Sequence, residues 1–208
     1  MEHGDRDLPI LLATDVHRYF KYVVESYQHR LYTFARRLIG SPQDAEDIVQ
    51  EAFVRAYVSL VTYPKMRVQT LKLQPWLYKI TLHEFHHHVR GARLHVIPID
   101  LSDDSPVLSI EDTDDERPEI IIESQEQLQE LEALVARLPD HYRIAVMCYY
   151  FEHLNYQEIA ELLDQPIGTV KSTIFRGVRL LRAMLHLQKQ EGREEYLWNT
   201  RIPRDKKA

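Results

Sequence analysis

The sequence predicts an all-α protein: two small helical domains joined by an acidic flexible linker, the C-terminal one a helix-turn-helix. Three observations carry that prediction. Apolar residues recur at helical spacing through most of the chain, and no segment reads as a credible strand. Charge is partitioned, with +6 over residues 16–99, −12 over 100–132 and +1 over 133–185, inside a net −6 for 208 residues. Finally, Asn155 to Leu185 (NYQEIAELLDQPIGTVKSTIFRGVRLLRAML) reads as two helices about a short break, the second with four basic residues and no acidic one.

Residues 1–15, of net charge −3, are expected as an N-terminal tail. An N-terminal domain over 16–99 follows. Phe20, Val23, Val24, Tyr27, Leu31, Phe34, Ala35 and Leu38 share one helical face, and Gly40 ends that helix. Ser41 and Pro42 restart the chain as N-cap and first helical residue, with Asp44 completing the cap. The core face of this second helix runs from Ala45 through Ile48, Ala52 and Ala56 to Leu60; Asp44, Asp47, Gln50, Glu51, Val54, Arg55 and Val58 stand opposite. Two valines on that outer face mean it is not purely solvated. Residues 62–74 read as a basic loop, and Pro75 as the start of a helix packing Trp76, Leu77, Ile80 and Phe85 inward.

From Asp100 to about Glu119 the chain is acidic, punctuated by proline and without sustained period, which assigns 100–129 to the linker. Helix resumes near Pro118 or Glu119 and runs to Leu138; Pro139 starts the next, whose Ile144, Ala145, Met147, Cys148 and Phe151 pack on the helix-turn-helix of a domain over 130–186. There Asn155 and Glu158 form a capping box, and Asp164-Gln165-Pro166 breaks the helix, because a residue before proline is pushed out of helical geometry. Gly168-Thr169 opens the second helix, with Val170, Ile174, Val178, Leu181 and Leu185 as one buried stripe. Residues 187–208 are expected as a C-terminal tail.

Several function classes fall away. One cysteine, Cys148, cannot form an internal disulfide and sits in an apolar run as a small core residue. No apolar run approaches the ~20 residues a bilayer span needs, and MEHGDRDLP is not a signal peptide. A cytoplasmic protein without membrane insertion is expected. The chain has no nucleophile motif, glycine-rich phosphate loop or recognisable carboxylate pair, so a binding protein rather than an enzyme is expected. His83, His86, His87 and His88 have spacings a metal site uses, but only Glu84 and His95 lie nearby as further ligands; no metal and no other cofactor is expected.

Two basic faces remain. Opposite its buried stripe, the last helix presents Lys171, Ser172, Phe175, Arg176, Arg179 and Arg182, a face suited to a major groove. The helix from Pro75 combines Trp76, Tyr78, Lys79, His83, His86, His87, His88, Arg90 and Arg93. Basic groups track phosphates, and aromatic planes stack on unpaired bases at ~1–3 kcal/mol per base.

These strings, in this order, resemble the bacterial sigma factors of RNA polymerase, specifically the extracytoplasmic-function (ECF) group. LYTFARRLIGSPQDAEDIVQEAFVRAY is similar to that family's polymerase-binding helix pair, QPWLYKITLHEFHHHVRGARLHVIPID to its downstream-promoter helix, and LPDHYRIAVMCYYFEHLNYQEIAELLDQPIGTVKSTIFRGVRLLRAML to its C-terminal DNA-reading domain. The resemblance implies a factor that binds core RNA polymerase and directs promoter-specific initiation. Asp44, Asp47, Gln50, Glu51, Val54 and Arg55 would dock on polymerase. Trp76, Tyr78, Lys79, His83, His87, Arg90 and Arg93 would serve the −10 element, and Thr169, Lys171, Ser172, Phe175, Arg176 and Arg179 the −35 element. An anti-sigma protein is the further partner implied. Two departures alter the expected base preference: His83 stands where asparagine is common, and Thr173 where arginine often follows the GTVKS serine. A stand-alone helix-turn-helix regulator with a helical sensor or dimerisation domain is the competing reading.

Overall fold

Helices are the regular elements among the described residues, which in the computed structural model are 7–92 and 125–200, with side chains over 7–90 and 131–186. In order they are α1 (Leu8–Thr14), α2 (Val16–Ile39), α3 (Pro42–Thr62), α4 (Lys65–Gln69) and α5 (Leu73–Ala92), then α6 (Gln125–Ala136), α7 (Asp140–Val146), a π-helical turn (Met147–Phe151), α8 (Tyr156–Leu163) and α9 (Ile167–Thr200).

Local chemistry sets the first boundaries. The Asp15 side chain accepts from the Arg18 amide at 3.0 Å to start α2, and Gly40 ends it with φ at 79°, a left-handed position that glycine takes without strain. Ser41 then caps α3 by accepting from the Asp44 amide at 3.3 Å. Val23, Tyr27, Leu31 and Phe34 of α2 pack on α3, whose Ala45, Ala52 and Ala56 keep the two backbones close. α5 closes the bundle: Leu77, Ile80 and Phe85 turn inward as expected, and the Phe34 and Tyr78 rings meet edge to face at 4.9 Å.

The N-terminal expectations need two corrections. Part of the expected tail 1–15 folds: α1 lies on α2 and α4 with Leu8 and Leu12 buried, a pair one turn apart behind a helix-starting Pro9. Nor is 62–74 simply a loop, since α4 buries Val68 and α5 begins at Leu73. Pro75 therefore sits inside the first turn, where its missing N–H has no intrahelical acceptor to lose.

In the second half, α7 packs along α9 with Gly177 at the crossing. A Cβ there would stand 2.8 Å from Val146 Cγ2 and 3.3 Å from Tyr142 Cβ. The expected helix through Phe151 widens into the π turn, closed by Glu152 N donating to Met147 O at 3.1 Å. α8 starts on the capping box read from the sequence: Glu158 N donates to Asn155 Oδ1 at 2.9 Å, and Asn155 N to Glu158 Oε2 at 3.1 Å. Asp164, left-handed at φ 53°, ends it. α9 starts one residue before Gly168, and residues 187–200 of the expected tail continue its backbone. Most of the assigned linker 100–129 lies outside the described residues; its last five belong to α6.

Candidate nucleic-acid interface

The recognition face is built by the burial of its opposite side. Val170, Ile174, Val178 and Leu181 are sunk against the domain, which turns Lys171, Phe175 and Arg179 outward at steps of four. Thr169 is exposed beside them, while Ser172 and Arg176 are half-buried. Ser172 Oγ donates to the Thr169 carbonyl at 2.9 Å, so the hydroxyl offers the outside its acceptor side. Phe175, a large apolar ring, is 55% exposed between two cationic residues. That mixture matches a major groove: a ring for a thymine methyl, cations for phosphates or guanine.

On α5 the expected site residues divide. His83, His87 and Arg90 are exposed on one stripe, at steps of four and three. Trp76 is half-buried, tilted against Tyr63 with ring centroids 6.2 Å apart. Tyr78, expected to face DNA, is instead fully buried: α5 has the bundle on one side and the C-terminal domain on the other, and position 78 lies in that second contact. Lys79 is exposed but engaged, donating to Glu161 O and to Asp164 Oδ1, both at 2.8 Å. Burial and the nearby Arg90 hold the His86 imidazole below its ordinary pKa, so it stays neutral further into acid than a free histidine. Arg93 lies outside the described residues.

The α3 face divides likewise. Asp47, Gln50, Glu51 and Val54 are exposed. Asp44 meets His88 Nε2 at 3.3 Å, and Arg55 pairs with buried Glu84 at 2.5 Å, so both reach toward α5. Val54 and Val58 are 59% and 54% exposed, and Val61 extends the same stripe one turn further. Val61 was not anticipated, although its spacing from the other two contained the signal.

Sequence reasoning also missed Arg37 and Glu152. Glu152 is 4% exposed; Tyr78 Oη donates to its carboxylate, and Gln74 Nε2 donates to its carbonyl at 2.8 Å. Arg37 on α2 donates to Glu132 of α6 through Nη2 at 2.6 Å, stands 3.6 Å from Glu152 Oε1, and lies 4.5 Å over the Phe151 ring. Burial raises the Glu152 carboxyl above the ordinary carboxylate range, although Tyr78, Arg37 and Arg30 pull it down. It pushes the Cys148 thiol up as well, which makes that sulfur unreactive. A lone acid in the run MCYYFEHL was the available clue. Among the described residues, no cluster of three or more His, Cys, Asp or Glu is placed to hold a metal ion, and no helix is long and apolar enough to cross a membrane.

A helix-turn-helix with a cationic, aromatic face, behind a helical bundle with a second basic helix, defines a DNA-binding protein of two helical domains. Comparison with known proteins narrows this. Residues 23–94 match the Sigma-70 region 2 family and residues 128–187 the Sigma-70, region 4 family. The chain is 32% identical over 174 residues to the ECF RNA polymerase sigma factor SigW of Bacillus subtilis (strain 168), covering 80% of this chain and 88% of that one. Two solved structures share the fold at 20% identity. CnrH in complex with the cytosolic domain of CnrY has a TM-score of 0.61 over 88% of this chain and 97% of that one. The sigma factor RpoE of Bartonella quintana, in complex with the anti-sigma factor NepR, has a TM-score of 0.57 over 80% and 96%. The chain belongs to the ECF sigma factors of RNA polymerase. It accordingly binds core RNA polymerase and directs promoter-specific transcription initiation. The region 2 match removes the competing reading, since the segment reserved for a sensor or dimerisation domain is a sigma domain.

Proposed function

We propose that the chain acts without catalysis of its own, in the cytoplasm, by dividing promoter recognition between its two domains. Asp47, Gln50, Glu51 and Val54, with Val58 and Val61, dock on core polymerase, while Asp44 and Arg55 brace that helix against α5. Trp76, Lys79, His83, His87, Arg90 and Arg93 serve the −10 element. Thr169, Lys171, Ser172 and Phe175 touch bases of the −35 element, and Arg176 and Arg179 touch its phosphates. An anti-sigma protein is a further partner, in keeping with the NepR complex of the fold neighbour.

The observation that carries this reading is the separation of three outward faces with distinct chemistry: acidic and apolar on α3, imidazole and basic on α5, basic and aromatic on α9. Run-off transcription with core polymerase and a randomised promoter pool tests it. Wild type should select both elements. Val54→Asp/Val58→Asp should lose polymerase binding with an unchanged melting temperature, and Lys171→Ala should relax selection at the −35 element alone. Relaxation confined to the −10 element by the α9 variant would overturn the assignment.

A further inference from the structure

The two DNA-reading domains grip each other. Tyr78 and Glu152, buried side chains from opposite domains, satisfy each other, and Arg37 adds its cation beside Glu152 and a second bond to Glu132. Around this centre the signs are complementary. Lys72 lies 3.5 Å from Glu158, and Lys79 lies 2.8 Å from Asp164. The N-terminal side supplies the lysines, and the C-terminal side supplies an acidic edge along α8.

We propose that this contact is an intramolecular clasp, in which the acidic edge of α8 occupies the lysines of α5 in place of DNA phosphates, and that it opens when the factor engages a promoter. The inference rests on the reading that α5 and α9 serve two separate promoter elements. Elements centred about 25 base pairs apart lie ~85 Å apart along B-form DNA. Lys79 on α5 and Asp164 beside α9 are 2.8 Å apart here, so the contact cannot persist while each domain holds its own element. Closed, the clasp takes Lys72 and Lys79 out of reach of phosphate and leaves the free chain a poor ligand for the −10 element. The buried centre gives this closure its specificity: a displaced domain strands the Tyr78 hydroxyl and the Glu152 carboxylate without each other.

Zero-length carbodiimide crosslinking of the full wild-type chain, read by mass spectrometry, tests the clasp without altering it. The free chain should yield Lys72–Glu158 and Lys79–Asp164 crosslinks, and assembly with core polymerase and promoter DNA should abolish them. Crosslinks that are absent from the free chain, or undiminished in the promoter complex, would overturn the proposal. A second arm uses Glu152→Ala, checked for retained helicity. Both yields should fall about tenfold, because the buried Tyr78 hydroxyl loses its acceptor, and affinity of the free chain for −10 DNA should rise. Unchanged yields would refute the part given to Glu152. Run-off activity of the wild type separates the outcomes: active factor with persistent crosslinks defeats the clasp alone, whereas inactive factor defeats the promoter reading beneath it.

Discussion

Arg55 on α3 and Glu84 on α5 form an ion pair of 2.5 Å in which the guanidinium is half exposed and the carboxylate buried. Glu84 also meets His83 Nδ1 at 3.1 Å, so a polymerase-side residue, a buried acid and a DNA-side imidazole make one connected row. Removing one partner of a buried pair is costly, and the exposure of Arg55 reduces that cost. Arg55→Ala should destabilise the protein by about 1–2 kcal/mol, a fall of roughly 2–8 °C in melting temperature. Arg55→Ala/Glu84→Gln should regain most of the loss, because no buried charge is left alone. Thermal melts of the double-mutant cycle measure both, and additive losses would show that the two residues do not interact.

Glu152 gives a pH prediction. Its carboxyl is raised because burial outweighs the pull of Tyr78, Arg37 and Arg30, so the folded chain binds this proton more tightly than the unfolded chain. The associated stability is complete below the ordinary carboxylate value and is lost as pH rises through the raised one. Glu152→Gln, which still accepts from Tyr78, should therefore be at least as stable as wild type at pH 7. Its advantage should vanish on acidification. Melting curves across pH 4–8 test this, and a neutral-pH loss equal to that of Glu152→Ala would mean the charge itself holds the site together.

Gly177 is a packing prediction. An added methyl meets the stiff Val146 side chain at 2.8 Å, so α7 and α9 must separate. Overpacking costs ~1–3 kcal/mol, and the better helix propensity of alanine returns up to ~1 kcal/mol. Gly177→Ala should be destabilising on balance, and Gly177→Ala/Val146→Ala less so than the sum of the single changes. Chemical denaturation of the three variants decides it.

Arg179 is exposed on the outer row of α9, and a phosphate partner makes its effect electrostatic. Arg179→Ala should weaken binding of the polymerase complex to all −35 sequences alike and reduce the salt slope of log K by about 0.9. Phe175→Ala should alter sequence preference and leave the slope unchanged. Affinities at several salt concentrations separate the two behaviours.

Much of this architecture was legible because its causes are local. The Ser41 cap, the Gly40 stop, the Asn155–Glu158 capping box and the buried stripe of α9 are each written within a few residues, and they stand where the spacing put them. Short patterns were harder. Leu8 and Leu12 are one helical step of evidence, too little to distinguish a packed turn from a tail. Non-local partners were invisible: whether Tyr78 faces DNA or a glutamate 74 residues away depends on how the two domains meet, which no periodicity encodes. The same holds for Asp44 and Arg55, whose charges read as an outer face until α5 is laid beside them.

The π turn at Met147–Phe151 fits one more residue into its coil than an α turn does. Deleting one residue there restores ordinary winding and swings everything downstream by about 100°. Glu152 then points away from Tyr78, and the groove-facing row of α9 leaves its heading. Angular phase between the halves is thus set by the length of a five-residue coil, so an in-frame loss of one codon is far more damaging here than any single replacement of its side chains.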